Sequence, residues 1–330
     1  MTCYSNEIPM KSIFLFLVLS LFALPSISET SPKEYKYKIG IVQNHVFIDM
    51  YQLTYEQAMI AALERYPNFE ATIMDSEGNI ELQKKQIAQL IDNRVNAIIL
   101  WPVHGRKIVE SVQKAHAANI PVIISNSNIH KTGYQFISAY SGPDNTLEGE
   151  YAAEILCDRL KQLNLDNEAR IVEIMGVSGY TTAIERSTGF RNRLKDECPQ
   201  ASIIDADHGN WSHKEGFKVM KMFLQKHETI HAVFSGDDNM GTGALRAAKE
   251  AGRHNNIIFV GATNFAAGYE AMAAGEYWGS VYQSPVLDAE NALKTTLDVL
   301  RMKKNQKFFN HFKTPKITQE NMKEFVKPLF

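Results

Sequence analysis

From Tyr37 onward, short runs of apolar residues alternate with longer stretches whose apolar residues recur at helical spacing. The short runs are dense in Ile and Val, which is typical of strands buried within a parallel sheet. In one longer stretch, Ile87, Leu90 and Ile91 follow the i, i+3, i+4 spacing that places side chains on one helix face. Strands that alternate with helices build parallel sheets with right-handed crossovers. The pattern therefore predicts an α/β protein.

The same pattern restarts near residue 145, so the chain is predicted to form two similar doubly wound α/β lobes. Predicted strands are Tyr37–Gln43, Ala71–Asp75, Ala97–Leu100, Pro121–Ser125 and Gln135–Ala139, then Arg170–Met175, Ser202–Ala206, Ala232–Ser235, Ile257–Gly261 and Gly279–Gln283. Predicted helices are Thr54–Tyr66, Ile80–Asn93, Arg106–Ala118, Thr146–Leu163, Thr182–Glu197, Lys214–His227, Thr242–Ala251, Phe265–Ala274 and Pro285–Met302. No shift in composition marks a flexible linker between the two halves.

The N-terminal residues have the pattern of a targeting segment. Lys11 supplies a basic charge, Ile13–Leu24 is apolar except for Ser20, and small residues at Pro25–Ser28 suit signal peptidase. We expect residues 1–28 to be a signal peptide that is cleaved on export to the periplasm. A single membrane anchor is the alternative, although the apolar run is short for spanning a bilayer. Met10 is an alternative start of translation.

Composition narrows the possible functions. The chain has 330 residues, 45% hydrophobic and 22% charged, as expected of a globular protein. Its 35 basic and 37 acidic residues give no basic field for nucleic acid. No metal-binding spacing, nucleophile elbow or complete phosphate loop is found, so we expect no cofactor, no metal and no catalysis. Whether Cys157 and Cys198 form a disulfide is open, because spatial proximity cannot be deduced from sequence.

Polar and aromatic residues follow nearly every predicted strand in both halves. Open parallel sheets bind ligands beyond the carboxyl ends of their strands, so these residues are the candidates for a binding site. Because they come from both halves, they predict one cleft between two lobes. The first half supplies Phe47, Asp49, Tyr51, Asn126, Ser127 and Asn128, and the second supplies Tyr180, Arg186, Trp211, Asp237, Asp238, Asn239, Thr263, Asn264 and Gln283.

Three segments, Ala97–Pro102, Ala183–Phe190 and Val233–Met240, carry a resemblance to a known family. With these segments and Ile120–Ile123, the chain resembles the periplasmic sugar-binding proteins of ABC importers, the ribose and galactose group of type I periplasmic binding proteins. The resemblance extends from about Tyr37 to Leu300. The resemblance implies two lobes that are joined by three crossovers and close on a ligand by hinge motion. Lobe one would combine residues 35–140 with 285–312, and lobe two would combine 141–284 with 313–330.

The resemblance also implies a function. The protein would capture a monosaccharide or polyol in the cleft and deliver it, as a monomer, to a membrane ABC permease. The alternative is a periplasmic sensor that closes on its ligand and signals to a membrane receptor or histidine kinase. Arg186 matches the family's sugar-binding arginine, and Trp211 falls where the family has a stacking aromatic residue. The implied ligand contacts are Asp49, Tyr51, Asn126, Ser127, Arg186, Trp211, Asp237, Thr263, Asn264 and Gln283.

Two positions depart from the family pattern. Asn126 and Ser127 stand where ribose and galactose binders carry Asp-Arg, and Thr263 stands where they carry an aspartate. Neutral hydrogen bonds contribute less than charge-assisted ones, so these changes argue against ribose itself. Structural alternatives remain for two site residues, since Trp211 could serve packing and Arg186 could pair within the protein. If both instead face the cleft, Arg186→Ala should weaken ligand binding with little change in stability.

Overall fold

The computed structural model describes residues 37–165, 167–302 and 307–330. The predicted signal peptide at residues 1–28 lies outside this range. Within the described residues, none of the helices combines the length and apolar character that crossing a membrane requires.

Two parallel sheets of six strands organise the chain. The first sheet has the order β11-β5-β4-β3-β1-β2 and the second has the order β12-β10-β9-β8-β6-β7. All neighbouring strands are parallel except β12, which is antiparallel to β10. The strands are β1 (Tyr37–Gln43), β2 (Phe69–Asp75), β3 (Ala97–Leu100), β4 (Val122–Ser125), β5 (Ala139–Gly142), β6 (Arg170–Met175), β7 (Ser202–His208), β8 (Ala232–Ser235), β9 (Ile258–Val260), β10 (Gly279–Val281), β11 (Phe309–His311) and β12 (Lys316–Thr318).

Helices flank each sheet, so the two sheets form two lobes of the type predicted. The chain passes from the first sheet to the second after β5, returns after β10, and crosses again between β11 and β12. The helices are α1 (Met50–Leu63), α2 (Ile80–Asp92), α3 (Val109–Ala117), α4 (Asn145–Gln162), α5 (Thr181–Glu197), α6 (His213–Lys226), α7 (Asp238–Glu250), α8 (Ala266–Ala273) and α9 (Pro285–Leu300). Helix α9 packs on α1 and on β3 to β5 of the first sheet.

The central strands are buried on both faces, which explains their continuous apolar sequences. Every residue of β3, β4 and β8 is buried. Helix α2 turns Ile87 and Leu90 into the core, as its spacing predicts. Leu90 lies directly over Gly40 of β1, where a Cβ would collide with the leucine side chain. Glycine at this position lets the helix approach the sheet closely.

The prediction of a strand at Gln135–Ala139 is wrong. Lys131–Phe136 forms a 3-10 helix, and His130 caps it by accepting a hydrogen bond from Thr132 N. The strand begins instead at Ala139, and all its residues are buried. The apolar residues Phe136 and Ile137 suggested a strand, but the local turn and the burial of Ala139–Gly142 determine the register. Each sheet also gains a strand from the C-terminal segment, β11 or β12, that the sequence pattern did not predict.

Close packing of α4 on α5 prepares the site described below. Gly149 of α4 and Gly189 of α5 each lie so near the other helix that a Cβ would collide with its backbone. A disulfide links Cys157 of α4 to Cys198 at the end of α5, with Cα atoms 5.9 Å apart. The two helices are thus joined covalently and by direct backbone approach. Their first turns, which face the cleft, are held in a fixed relation.

Candidate functional site

A cavity lies where the carboxyl ends of both sheets meet, and it encloses about 40 Å³. Eight of the ten residues predicted to contact a ligand line it, and they come from both lobes. This arrangement follows from the topology, because the ends of parallel strands gather at one edge of each sheet. The lining residues are Asp49, Tyr51, Gln52, Asn126, Thr182, Arg186, Trp211, Asp237, Thr263, Phe265 and Gln283.

Arg186 of α5 is held by hydrogen bonds within the protein. Its Nε and Nη2 donate to Glu148 Oε2 of α4 at 2.9 and 2.6 Å. Nη1 donates to Gly236 O at 2.7 Å and to Thr263 Oγ1 at 3.1 Å, and Nη2 also donates to Gln283 Oε1 at 2.6 Å. Together these bonds use every N–H that a guanidinium carries. The expectation that Arg186→Ala leaves stability nearly unchanged therefore conflicts with the structure.

A chain of hydrogen bonds continues from Arg186 into the first lobe. Gln283, which accepts from Arg186, donates its Nε2 to Tyr51 OH at 2.8 Å. Tyr51 OH donates to Asp288 Oδ2 at 3.1 Å, and Asn126 Nδ2 donates to the same oxygen at 2.5 Å. Burial raises the pKa of Asp288 to about 7, although hydrogen bonds from Asn126 and Tyr51 counteract it. The polar groups of the two lobes thus form one connected network.

Two carboxyl groups enter the cavity from opposite lobes, and each caps a helix. Asp49 accepts from Gln52 N at the start of α1 (2.8 Å), and Asp237 accepts from Met240 N at the start of α7 (2.7 Å). Burial raises the pKa of Asp49 to about 6. Burial, together with the nearby charge of Asp49, raises the pKa of Asp237 to about 7. Both carboxyl groups form part of the cavity wall.

Trp211 combines packing with a position in the cavity wall. Its ring lies against Gly176, where a Cβ would collide with the indole. Its backbone N–H donates to Met240 Sδ at 3.2 Å, and its carbonyl accepts from Asn239 Nδ2 at 2.8 Å. Tyr180 contacts the ring edge-on at 5.9 Å between centroids. These contacts fix the indole while part of it lines the cavity.

Unusual backbone conformations cluster at the site. Asn126 (φ 58°), Trp211 (φ 60°), Thr263 (φ 83°) and Asn264 (φ 55°) all adopt positive φ values. Such values are uncommon for residues other than glycine, and they are least favourable for bulky or β-branched side chains such as Trp and Thr. Strained residues of this kind concentrate at ligand sites. These four are among ten non-glycine residues with positive φ in the described part of the chain, and the strain at Trp211 and Thr263 fits a ligand site.

The structure places Ser127 and Asn264 beside the cavity, outside its lining. Ser127 Oγ accepts from Thr182 N at 3.3 Å and so connects the two lobes behind the cavity wall. Asn264 is fully buried, and its backbone N–H donates to Ser280 Oγ at 3.2 Å. Phe47, another residue noted after the first strand, is largely exposed.

Three lining residues, Gln52, Thr182 and Phe265, were missed by the sequence analysis. Gln52 and Thr182 lie in the first turns of α1 and α5, and Phe265 immediately precedes α8. All three positions lie at the start of a helix that follows a strand, at the same edge of the sheet as the predicted residues. The start of each helix is therefore the signal that identifies them.

A larger groove of about 520 Å³ lies on the second lobe, where Arg159 stacks over Trp278. Its lining includes His231, Ile257 and Trp278, which immediately precede strands β8, β9 and β10. The groove is therefore at the amino ends of these strands, away from the residues that converge from both lobes. The smaller cavity is the candidate binding site for this reason.

Comparison with known proteins agrees with this architecture. A family model described as periplasmic binding protein domain matches residues 39–304. The chain is similar to the ribose import binding protein of Bacillus subtilis, with 27% identity over 307 residues, 90% of this chain and 95% of that protein. It is also similar to the D-ribose/D-allose-binding protein of Pseudomonas aeruginosa, with 25% identity over 300 residues, 88% of this chain and 90% of that protein.

Among solved structures, one similar protein is the periplasmic binding component of the arabinose ABC transporter from Shewanella sp. ANA-3, bound to α- and β-L-arabinofuranose. Its TM-score is 0.79 at 26% identity, and the match covers 87% of this chain and 93% of that one. The family match spans most of the chain, and the two sheets and their crossovers follow the fold of these relatives. The chain belongs to the periplasmic binding protein family.

Proposed function

We propose that this protein captures a small polyhydroxylated molecule, a monosaccharide or polyol, and delivers it to an ABC permease. The observation that carries the proposal is the cavity between the lobes, where carboxylate, amide and hydroxyl groups converge beside the indole of Trp211. Sugar hydroxyls both donate and accept hydrogen bonds, and sugar C–H faces pack on aromatic rings. The names of the relatives, which are sugar import or binding proteins, support the same ligand class.

The residues predicted as ligand contacts take different roles in this proposal. Those lining the cavity would touch the ligand, except that Arg186, whose N–H groups all bond within the protein, would hold Thr263 and Gln283 in place. Ser127 and Asn264 would position the wall behind it. The neutral residues Asn126 and Thr263 give weaker contacts than charged ones. We therefore infer a cognate ligand other than ribose, although relatives at about a quarter identity are named for ribose.

Ligand entry requires the lobes to part. A cavity of about 40 Å³ has room for roughly three water molecules at about 10–15 Å³ each. We assign lobe one to residues 35–140 plus 285–312 and lobe two to 141–284 plus 313–330. This boundary falls within β5, whose last two residues, Ser141 and Gly142, complete a strand of the first sheet. Tyr180 of the second lobe would be a closing contact, because its hydroxyl accepts from Asn44 Nδ2 and Trp101 Nε1 of the first.

The proposal places the mature protein in the periplasm as a monomer after removal of residues 1–28. Intact mass spectrometry of periplasmic protein would test the cleavage. Recovery of residues 13–24 in a membrane fraction would favour an anchor instead. Size-exclusion chromatography with light scattering would test the monomer.

A thermal-shift screen tests the binding function. Purified mature protein would be heated with L-arabinose, D-allose, D-galactose, xylitol and myo-inositol, each with and without prior refolding to remove endogenous ligand. At a hundredfold excess over Kd, binding stabilises the folded state by about 2.7 kcal/mol. Ligand recovered from denatured complex should be chemically unchanged, since the protein would bind without turnover. A flat response to every polyhydroxylated compound would contradict the proposal.

A further inference from the structure

The cavity between the lobes has an excess of negative charge. Among its lining residues are two carboxylates, Asp49 and Asp237, and one cation, Arg186. The charge of Arg186 is already matched by Glu148, which is fully buried behind it. Asp288 adds a third acidic group one hydrogen bond away from the lining residue Tyr51. Within the described lining, Arg186 is thus the one cation near these two carboxyl groups, and its guanidinium bonds to neither of them.

The hydrogen-bonding groups of the cavity are also unbalanced, because acceptors are left over while the donors of Arg186 are used. Arg186 has no N–H left for a ligand, as described above. In contrast, Gln52 Oε1 and Thr182 Oγ1 are buried without a hydrogen-bond partner, in side chains that are 3% and 4% exposed. Both residues line the cavity. Asp49, Asp237 and Gln52 Oε1 present acceptor oxygens, and the Thr182 hydroxyl can accept as well as donate, so this part of the wall favours a ligand rich in donors.

The raised pKa values of Asp49 and Asp237 have the same origin. Burial acts on both carboxyl groups, and the charge of Asp49 raises the pKa of Asp237 across the cleft. A positive group placed between them would remove this repulsion. An ammonium group has three N–H donors and no acceptor, so it also suits the surplus of acceptor oxygens. The indole of Trp211, in the same wall, offers a face that attracts cations.

We propose that the ligand is an amino sugar or amino polyol whose ammonium group binds between Asp49 and Asp237. This inference rests on the proposed function and specifies its ligand class. The hydroxyl groups of the ligand would bind the amide and hydroxyl groups of the network, and the amine would supply the missing charge.

Isothermal titration calorimetry with matched pairs of compounds tests the inference. Each pair differs in one group: D-glucosamine and D-glucose, D-galactosamine and D-galactose, D-mannosamine and D-mannose, 1-amino-1-deoxy-D-glucitol and D-glucitol. In at least one pair, the amine should bind at least tenfold more tightly, and its N-acetyl form, which is neutral, should lose that gain. Neutral sugars that bind as tightly as their amines would overturn this inference and leave the proposed function intact. No binding by any compound would overturn both.

Asp237→Asn supplies the second measurement. Asparagine also caps helices, so α7 should keep its first turn while the cavity loses one charge. The variant should lose the amine preference by tenfold or more, with a smaller effect on neutral sugars. Asp144→Asn is the matched control, because Asp144 caps α4 through Leu147 N but does not line this cavity. An unchanged amine preference in Asp237→Asn would overturn the inference.

Discussion

Replacing Arg186 by methionine removes the cation from a carboxylate that has no contact with solvent. The two side chains are 4% and 0% exposed, and Nη2 of Arg186 lies 2.6 Å from Oε2 of Glu148. Glu148 Oε1 already lacks a hydrogen-bond partner. In the variant, both oxygens of the carboxylate would be unsatisfied, and Gly236 O and Gln283 Oε1 would lose their donors as well.

The expected loss of stability is large. Removing one partner from a buried ion pair costs about 3–5 kcal/mol, because the remaining charge has neither water nor counterion. At roughly 2 °C per kcal/mol for a protein of this size, Tm should fall by about 6–10 °C. Adding Glu148→Leu should restore much of that loss, since the buried charge is then removed too.

The loss should depend on pH in a defined direction. Burial raises the pKa of Glu148, and Arg186 lowers it, so removing Arg186 raises the folded-state pKa further above the unfolded value of about 4.3. A carboxyl group whose pKa is raised on folding favours the folded state at low pH, and this contribution is lost as pH rises through the folded-state pKa. The deficit of Arg186→Met relative to wild type should therefore be smaller at pH 5 than at pH 8.

Differential scanning calorimetry at both pH values measures the effect, and Arg191→Met is a matched control. Arg191 lies on the same helix and pairs with a fully buried glutamate, Glu173, at 2.6 Å, but its own side chain is 45% exposed and outside the cavity. The control should lose stability yet bind ligand as wild type does, whereas Arg186→Met should lose both. A ligand-free Arg186→Met protein with wild-type Tm at pH 8 would refute the argument.

Three further predictions follow from the same contacts. Reducing the Cys157–Cys198 disulfide opens a loop of 41 residues and should cost about 4 kcal/mol of stability; equal Tm with and without dithiothreitol would contradict this. Trp211→Phe should reduce the change in tryptophan fluorescence on ligand binding and leave the part due to Trp101, which donates to Tyr180 across the lobes, whereas Trp278→Phe, outside the cavity, should preserve the whole change. Because the pKa of Asp237 rises on folding to about 7 from about 3.9, its stabilising contribution is present below pH 4 and lost as pH rises to 7. The Tm of the ligand-free protein should therefore fall as pH rises through this range, and Asp237→Asn should make that fall smaller. An equal fall in the variant would show that other groups cause it.

Prediction from the sequence worked best for strands that are buried on both faces. The bounds of β1, β3, β6 and β8 match the predicted ranges because their apolar runs are buried on both faces and end at turns. The strand prediction for Gln135–Ala139 failed because the apolar pair Phe136 and Ile137 favours a strand while the local turn forms a 3-10 helix. Strands β11 and β12 have only three residues each, which is too short for a periodic signal.

The candidate site was predictable in outline for a topological reason. Residues after parallel strands converge at one edge, so Asp49, Asp237 and Gln283 could be grouped without coordinates. The partner of Arg186 could not be predicted, because Glu148 is 38 residues away and meets it only through the close approach of α4 and α5. Pairing across elements depends on packing distance, which the sequence pattern does not encode.

The charge of the ligand would influence whether the two lobes close over this cleft. Hydrogen bonds from Asn44 and Trp101 to Tyr180 connect the lobes, while the charges of Asp49 and Asp237, which line one cavity from opposite lobes, repel each other. A ligand shifts an open–closed equilibrium only by the difference in its affinity for the two states. A cation gains contact with both carboxylates only in the closed state, so it would remove the repulsion and stabilise closure through one interaction. A neutral polyol would leave the repulsion in place, and its hydroxyl contacts would have to overcome it.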